Sequence, residues 1–357
     1  MIRLKIIRTF YQHWGEHSGI HQFIRHLSPE NFLVEERAVP METGTALGKN
    51  LDALLTWAVR SRKVEAYRLN DFCEELRTFS QCLAKKFDII HFLDSEHGLM
   101  FLPSLLDKAG WLNPRPLVVG MFHQPPHILE KFLNPEIVRQ LDYITVVAPN
   151  QEEWFAHYVP RKRIRTILHG IAVDYYRPAG KKPASGKLRC LAGGVWLRDY
   201  RALFETARLL RDRPEIEFHI IASDLEKPSD LDSVFIHSRV SDEEYLQLFR
   251  ESDVLFMPLE TATANNVILE GLACGLPVVS TELISVRAYV PGPEGLLIKD
   301  NDPGAFAGAL LKLQQNPGKL RELGARARGR AEQLSWERVG REYTDFYLKI
   351  RGRREKG

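Results

Sequence analysis

Residues 254–281 read VLFMPLETATANNVILEGLACGLPVVST, and this stretch decides the fold. VLFM is short, apolar on both faces and stopped by Pro258, as a strand covered on two sides should be. A small polar loop follows, and from Asn265 the apolar spacing turns helical. PVVST then opens a second β-branched run. Strand, helix and strand in this order form the unit of a parallel sheet.

The alternation extends outward in both directions. LKII (4–7), FDIIHFL (87–93), PLVVGMF (116–122) and YITVVAP (143–149) read as buried strands of a first half. KLRCLAGG (187–194), IEFHIIA (216–222), VFIHS (234–238) and GLLI (295–298) do the same around the opening stretch. Segments such as VEAYRLNDFCEELRTFSQCLAKK (64–86) and DEEYLQLFRESD (242–253) lie between them with apolar residues three and four apart. Doubly wound α/β architecture follows. IAVDYYRPAGKKPASGK (171–187), rich in Pro, Gly and cations, reads as a linker. The expected domains are therefore 1–170 and 188–334, followed by a helical segment, 335–357.

The chain has 357 residues, 44% hydrophobic and 27% charged, with a net charge of +3. That balance suits an ordinary globular protein of two domains and gives no footing for phosphate-driven nucleic-acid binding. The four cysteines form no Cys-x-x-Cys pair and read as reduced thiols of a cytoplasmic protein. The start, MIRLKIIRTF, is broken by Arg8 and reads as neither a signal peptide nor a membrane span. Peripheral contact with the inner face of a membrane stays open. The charged end, RGRREKG, reads as a solvated helix terminus.

Ligands of open α/β sheets bind beyond the carboxyl ends of strands, and four such places stand out. After VLFMP, Thr263 reads as an N-cap, and the amides that follow make an anion site fit for a diphosphate. Asn266 and Glu270 share one helix face, with Leu269, Leu272 and Ala273 on the opposite, buried side. The Glu270 carboxylate suits the vicinal hydroxyls of a ribose; pairing on a solvent face is the plain alternative. Second, LAGGVWLRDYRALF places Gly193 and Gly194 at a strand end with Arg198 close behind. Arg198 can fork two phosphate oxygens, or pair with Asp199 or Glu205; Arg201 is the weaker candidate.

Third, YQHWGEHSGIHQF (11–23) carries Gly15 and Gly19 around a turn that lets backbone approach a ligand. His13, His17 and His21 are spaced by four, but Gly15 breaks the helix such a ligand set would need, so no metal site is expected. Fourth, His123 closes a strand before Gln124-Pro125-Pro126, and Asp94, Glu96 and His97 end the neighbouring one. A dehydrogenase is disfavoured, since no Gly-x-Gly-x-x-Gly follows either first strand.

The opening stretch closely resembles the donor motif of the family-four (group 1) retaining glycosyltransferases. HGIAVDYYRP (169–178) resembles their Asn-Gly-Val-Asp…Phe-x-Pro hinge signature, with His169 in place of Asn. HSRVSDEEYLQLFRESDVLFMP (237–258) and VPGPEGLLIKDNDPGAFAGAL (290–310) are similar to the segments on either side. The resemblance implies the GT-B fold: two Rossmann-like domains facing a central cleft, with the terminal helix crossing back to the first. It implies transfer of a sugar from a nucleotide-diphosphate sugar to a glycan, lipid or small-molecule acceptor, without metal or other cofactor.

On this resemblance Gly15, Gly19, Gly193, Gly194, Arg198, Thr263, Asn265, Asn266 and Glu270 bind the donor. His123 holds the transferred sugar, and Asp94, Glu96 and His97 face the acceptor. Glu270 matches the second of the family's two motif glutamates. Ala262 stands where the first would be, and Glu260 lies two residues away. This departure bears on sugar recognition more than on nucleotide binding. The alternatives are a nucleotide-sugar epimerase on the same fold and a non-catalytic nucleotide-sugar-binding protein.

Overall fold

The computed structural model describes residues 1–11, 16–60, 67–180 and 186–354. Its backbone forms two six-stranded sheets, each entirely parallel. The first sheet contains β1 (Ile2–Phe10), β2 (Phe32–Pro40), β3 (Ile89–Phe92), β4 (Leu117–Phe122), β5 (Tyr143–Val146) and β6 (Ile164–Thr166), in the order 2-1-3-4-5-6. The second contains β7 (Leu188–Gly193), β8 (Ile216–Ile221), β9 (Val234–His237), β10 (Val254–Met257), β11 (Val278–Thr281) and β12 (Gly295–Ile298), in the order 12-11-10-7-8-9. Relative to its own first strand, the second sheet runs 3-2-1-4-5-6, the order of dinucleotide-binding sheets.

The chain divides into two compact units. One holds Gly19–His169, the N-terminal strand and the chain from Glu337 onward; the other holds residues 16–18 and Gly170–Trp336. Segment 171–180, expected as part of a linker, packs within the second unit. Ile171 bridges Ser335, its N–H bonds the Leu334 carbonyl, and Tyr176 is buried. Residues 181–185 of that expected linker lie outside the described residues.

All six strands of the second sheet were legible as apolar runs, whereas β2 and β6 of the first were not. Both are edge strands. β2 reads FLVEERAVP, and its central Glu35, Glu36 and Arg37 are only partly covered. The charges are answered across the sheet: Arg8 Nε donates to Glu36 Oε1 at 2.6 Å. The fully buried Lys5 donates to Glu74 Oε1 and Gln81 Oε1, each at 2.7 Å. β6 has only three residues, too few to show a period.

The helix Trp336–Arg354 belongs to the first unit from Glu337 on, and its Tyr343, Phe346, Tyr347 and Ile350 are buried. Tyr343 stacks on Phe23 at 3.8 Å. The Tyr347 hydroxyl lies 2.7 Å from Nδ1 of the buried His91, whose Nε2 meets Thr145 Oγ1 at 3.1 Å. Burial pushes this imidazole down to about 3, so it is neutral. Gly340 permits the close approach: a Cβ there would come within 2.5 Å of the His26 Cβ.

Candidate donor site and its first-unit counterpart

In the second sheet the chain leaves β7 toward β8 on one side and returns to β10 on the other. The carboxyl ends of β7 and β10 therefore flank the topological switch point, where loops part and backbone groups are left for a ligand. The two loops are tied together. Asp199 N–H donates to Pro258 O at 3.0 Å, Glu260 N–H to Leu197 O at 3.2 Å, and Arg198 bridges Leu259.

Gly194 has φ +80°, and a Cβ there would lie 3.0 Å from Arg198 Nη2, so conformation and space both call for glycine. The Arg198 guanidinium folds over this corner. Nε donates to Gly193 O at 2.8 Å, Nη1 to Trp196 O at 2.9 Å, and Nη2 lies 3.5 Å from Asn265 Oδ1. Neither Asp199 nor Glu205 pairs with it. Asp199 instead caps the helix Tyr200–Leu209, accepting from Ala202 N–H. Burial lowers the Arg198 pKa, while the nearby Tyr200, Tyr245 and Glu270 act in the opposite sense. The Tyr200 hydroxyl donates to Gly194 O and is pushed up to about 12, mainly by burial.

The helix after β10 spans Asn266–Ala273 and corrects two expectations. Its N-cap is Asn265, not Thr263: Asn265 Oδ1 accepts from Ile268 N–H at 3.3 Å, while Thr263 is buried before it. Nor does the helix have a wet face at Glu270. Every residue from Val267 to Ala273 is buried, Glu270 included, and only Asn266 is exposed. Burial raises the Glu270 carboxyl above its ordinary value, against the opposing pull of two tyrosine hydroxyls and Arg198. Tyr245 donates to Oε2 at 2.6 Å, and Tyr176 bonds the same carboxylate.

Sequence reasoning missed these two tyrosines as site residues. Both stand in motif segments, HGIAVDYYRP and SDEEYLQLF, but nothing in their spacing says that they meet Glu270. Arg328 helps to hold the first in place, since its Nη1 donates to the carbonyls of Val173, Tyr176 and Ala273. Ala262 is buried, and Glu260 is exposed.

The first sheet has its own switch point between β1 and β3, and its carboxyl edge is acidic. Asp94 is buried and accepts from Thr9 N–H at 2.8 Å and, at 3.5 Å, from the Tyr11 hydroxyl. Glu96 is also buried; Oε1 accepts from the backbone N–H of His123 at 2.9 Å, while Oε2 has no hydrogen-bond partner among the described residues. His123 is half-buried, with Nε2 2.6 Å from Leu93 O. The structure thus brings Asp94, Glu96 and His123 together. His97 follows in the same turn, its backbone N–H donating to Asp94 O at 3.1 Å.

Gly19, at φ +94°, caps a short 3-10 helix, Ile20–His26. Gly15 and His13 lie outside the described residues. His17 stacks on Tyr175 at 3.8 Å, while His21 is half-buried in the first unit and pushed down to about 4, chiefly by burial. Among the described residues no three His, Cys, Asp or Glu side chains are grouped as a metal site.

A basic corner, a helix start and a buried carboxylate thus meet at the switch point of a parallel sheet, the place where α/β proteins of this class leave room for a ligand. Residues 191–316, which carry that site, match the family model described as glycosyl transferases, group 1. Over 237 residues the chain is 26% identical to the D-inositol 3-phosphate glycosyltransferase of Streptomyces bingchenggensis, a match covering 57% of this chain and 52% of that protein. The chain thus spans little more than half the length of this curated relative.

Two solved structures share the fold across nearly the whole chain. Sucrose-phosphate synthase from Thermosynechococcus elongatus is 18% identical, with a TM-score of 0.69 over 97% of this chain and 98% of that one. HepE from Anabaena, solved in complex with UDP and glucose, is 11% identical, with a TM-score of 0.66 over 98% and 100%. The chain has the GT-B fold, and over residues 191–316 it is similar to the group 1 glycosyl transferases.

Proposed function

We propose that this protein is a retaining, metal-independent glycosyltransferase that moves a sugar from a nucleoside-diphosphate sugar to a hydroxyl-bearing acceptor. One observation carries the reading: Arg198, Gly194 and the Asn265-capped helix converge at the switch point, with Glu270 one turn into that helix. A HepE structure in complex with UDP-glucose supports a nucleotide-sugar donor, and the names of the curated relatives, D-inositol 3-phosphate glycosyltransferases, support sugar transfer.

In this reading Arg198 and the amides of Asn266 and Val267 receive the diphosphate. Breaking the anomeric C–O bond puts negative charge on the departing phosphate and positive charge on the sugar, and preorganised donors stabilise the former. A guanidinium and helix-end amides can carry that charge, which supports transfer without a metal. Glu270 takes the ribose: a carboxylate offers about four lone-pair sites, and the two tyrosines occupy only part of them. Thr263 and Gly193 line the approach to the diphosphate. His123 holds the transferred sugar. Asp94, Glu96 and His97 receive the hydroxyls of a glycan, lipid or small-molecule acceptor. The four free cysteines support placement in a reducing cytoplasm.

A panel of nucleoside diphosphates and their sugars, screened by thermal shift on the full chain, tests the donor. A true donor at 100-fold excess over its Kd adds about 2.7 kcal/mol. The best donor, labelled in the sugar, is then incubated with candidate acceptors in EDTA. Labelled product with retained anomeric configuration is expected. A changed sugar without transfer would mean an epimerase, and loss of transfer restored by Mg²⁺ would overturn the metal-free part.

A further inference from the structure

The short turn after β12, Lys299–Asn301, also reaches the carboxyl edge of the second sheet. β12 lies at the end of that sheet, in the order 12-11-10-7, so two strands separate it from β7. The Asn301 side chain spans the gap. Nδ2 donates to Asp199 Oδ2 at 2.8 Å and to Leu259 O at 3.0 Å, and Oδ1 accepts from the Thr281 hydroxyl. Thr281, the last residue of β11, itself accepts from Leu259 N–H at 2.7 Å. One amide thus ties together the loops that follow β7 and β10 and the end of β11.

These bonds converge on the Arg198 corner. Leu197 and Asp199, on either side of Arg198, are strapped by backbone bonds to Glu260 and Pro258, and Leu259 lies opposite Arg198 itself. Backbone straps alone fix the spacing of two loops but let them shear along each other. A third bond, from another loop to a side chain of one and a carbonyl of the other, removes that freedom. Asp199 is engaged at both oxygens, Oδ1 capping the helix Tyr200–Leu209 and Oδ2 meeting Asn301. Leu259 and Thr281 are buried, so their polar groups depend on protein partners. Asn301 stands at φ +51°, in the left-handed region. Glycine would hold that backbone without strain, whereas asparagine holds it and adds the three side-chain bonds.

We propose that Asn301 is a positioning residue for the diphosphate corner: it locks Asp199 against Leu259 and so fixes where the Arg198 guanidinium meets its ligand. The proposal rests on the donor reading above, and it assigns Asn301 an effect on diphosphate rather than on nucleoside.

Two variants of the full chain test it. Asn301→Gly keeps the left-handed backbone and deletes the amide. Asn301→Asp keeps the shape but sets a second carboxylate against Asp199. The probes are UDP, GDP, ADP, CDP and dTDP with their nucleosides, measured by calorimetry, and hydrogen exchange of the Asp199 and Glu260 amides in the ligand-free protein. For the diphosphate that wild type binds, Asn301→Gly is expected to lower affinity about five- to tenfold while nucleoside affinity holds. Asn301→Asp should lose more at pH 8, and its deficit relative to wild type should shrink at pH 5. Two carboxylates in contact retain a proton above the ordinary range, and a protonated carboxyl donates to Asp199 as the amide does. Lost packing alone would not recover with acid. Unchanged diphosphate affinity in Asn301→Gly overturns the proposal, as does an equal loss for diphosphate and nucleoside. If wild type binds none of the diphosphates, the donor reading fails and exchange decides on Asn301. Asp199 and Glu260 amides that exchange about tenfold faster in Asn301→Gly keep it as the fastener of the corner, and unchanged rates overturn it.

Discussion

The carboxyl edges of the two sheets are built from the same geometry but opposite charge. At the second, an arginine clasps a glycine corner, and the buried acid is Glu270, held by tyrosine hydroxyls. At the first, two buried acids, Asp94 and Glu96, are met by backbone amides and a hydroxyl, and neither pairs with a cation among the described residues. A diphosphate needs donors and positive charge, which the second edge supplies. Carboxylates without cations suit neutral hydroxyls, which they can bind by accepting hydrogen bonds. The parallel fold offers two places for ligands, and in the function proposed above the charges installed there divide the labour.

The largest effect that could break this division is at Glu270. Removing its carboxylate strands two buried tyrosine hydroxyls and leaves Arg198 without a nearby countercharge. Glu270→Ala is expected to destabilise the second unit by about 2–4 kcal/mol and to abolish measurable nucleotide binding. Glu270→Gln should lose about 1 kcal/mol, because one acceptor oxygen remains. Urea unfolding and calorimetry on the three proteins read both numbers. Unchanged stability in the alanine variant would mean that the tyrosines find water instead.

Arg198→Lys comes next. A lysine cannot reproduce the fork, so affinity for a nucleoside diphosphate should fall about ten- to hundredfold while that for the bare nucleoside holds. Equal losses for both would make Arg198 only a clasp on Gly193 and Trp196.

His91 sharpens the contrast from the other side, since it is buried between Tyr347 and Thr145 in the middle of its sheet, away from the edge. Its folded pKa is about 3, below the ordinary 6.5, so the unfolded chain binds the extra proton first. Stability from this residue is full above pH 6.5 and is lost as pH falls toward 3. Wild type should therefore lose about 2 kcal/mol between pH 7 and pH 5 that His91→Gln does not lose. Denaturant midpoints at the two pH values give the comparison, and parallel losses would show that other groups dominate.

The smallest expected effect is at Glu96. Glu96→Gln keeps an acceptor for His123 N–H, so stability should change by less than about 1 kcal/mol. Acceptor kcat/KM should fall by about tenfold with donor affinity unchanged. A loss on the donor side would undo the division of labour between the two edges.

Parallel strands buried on both faces leave unbroken apolar runs, which is why β7, β8, β10 and β11, and Gly193, Gly194 and Glu270 at their edge, stood out in the sequence alone. The edge strands β9 and β12 are only partly buried and were legible because VFIH and GLLI carry no Asp, Glu, Lys or Arg. Edge strands lack that double burial: β2 carries charges because one flank is wet, and β6 is too short to show a pattern. Capping was half legible. A polar loop before an apolar helix announced an N-cap, but whether Thr263 or Asn265 serves depends on backbone angles that the composition of the loop does not specify. Only the folded chain decided that Tyr245, 25 residues away, bonds Glu270, and that Tyr347, 256 residues from His91, bonds that imidazole. Such bonds have no local period, because they join elements whose proximity is set by sheet order rather than by spacing. Burial of the whole helix Val267–Ala273 is of the same kind. Only the neighbours packed around a helix determine which of its faces meets water.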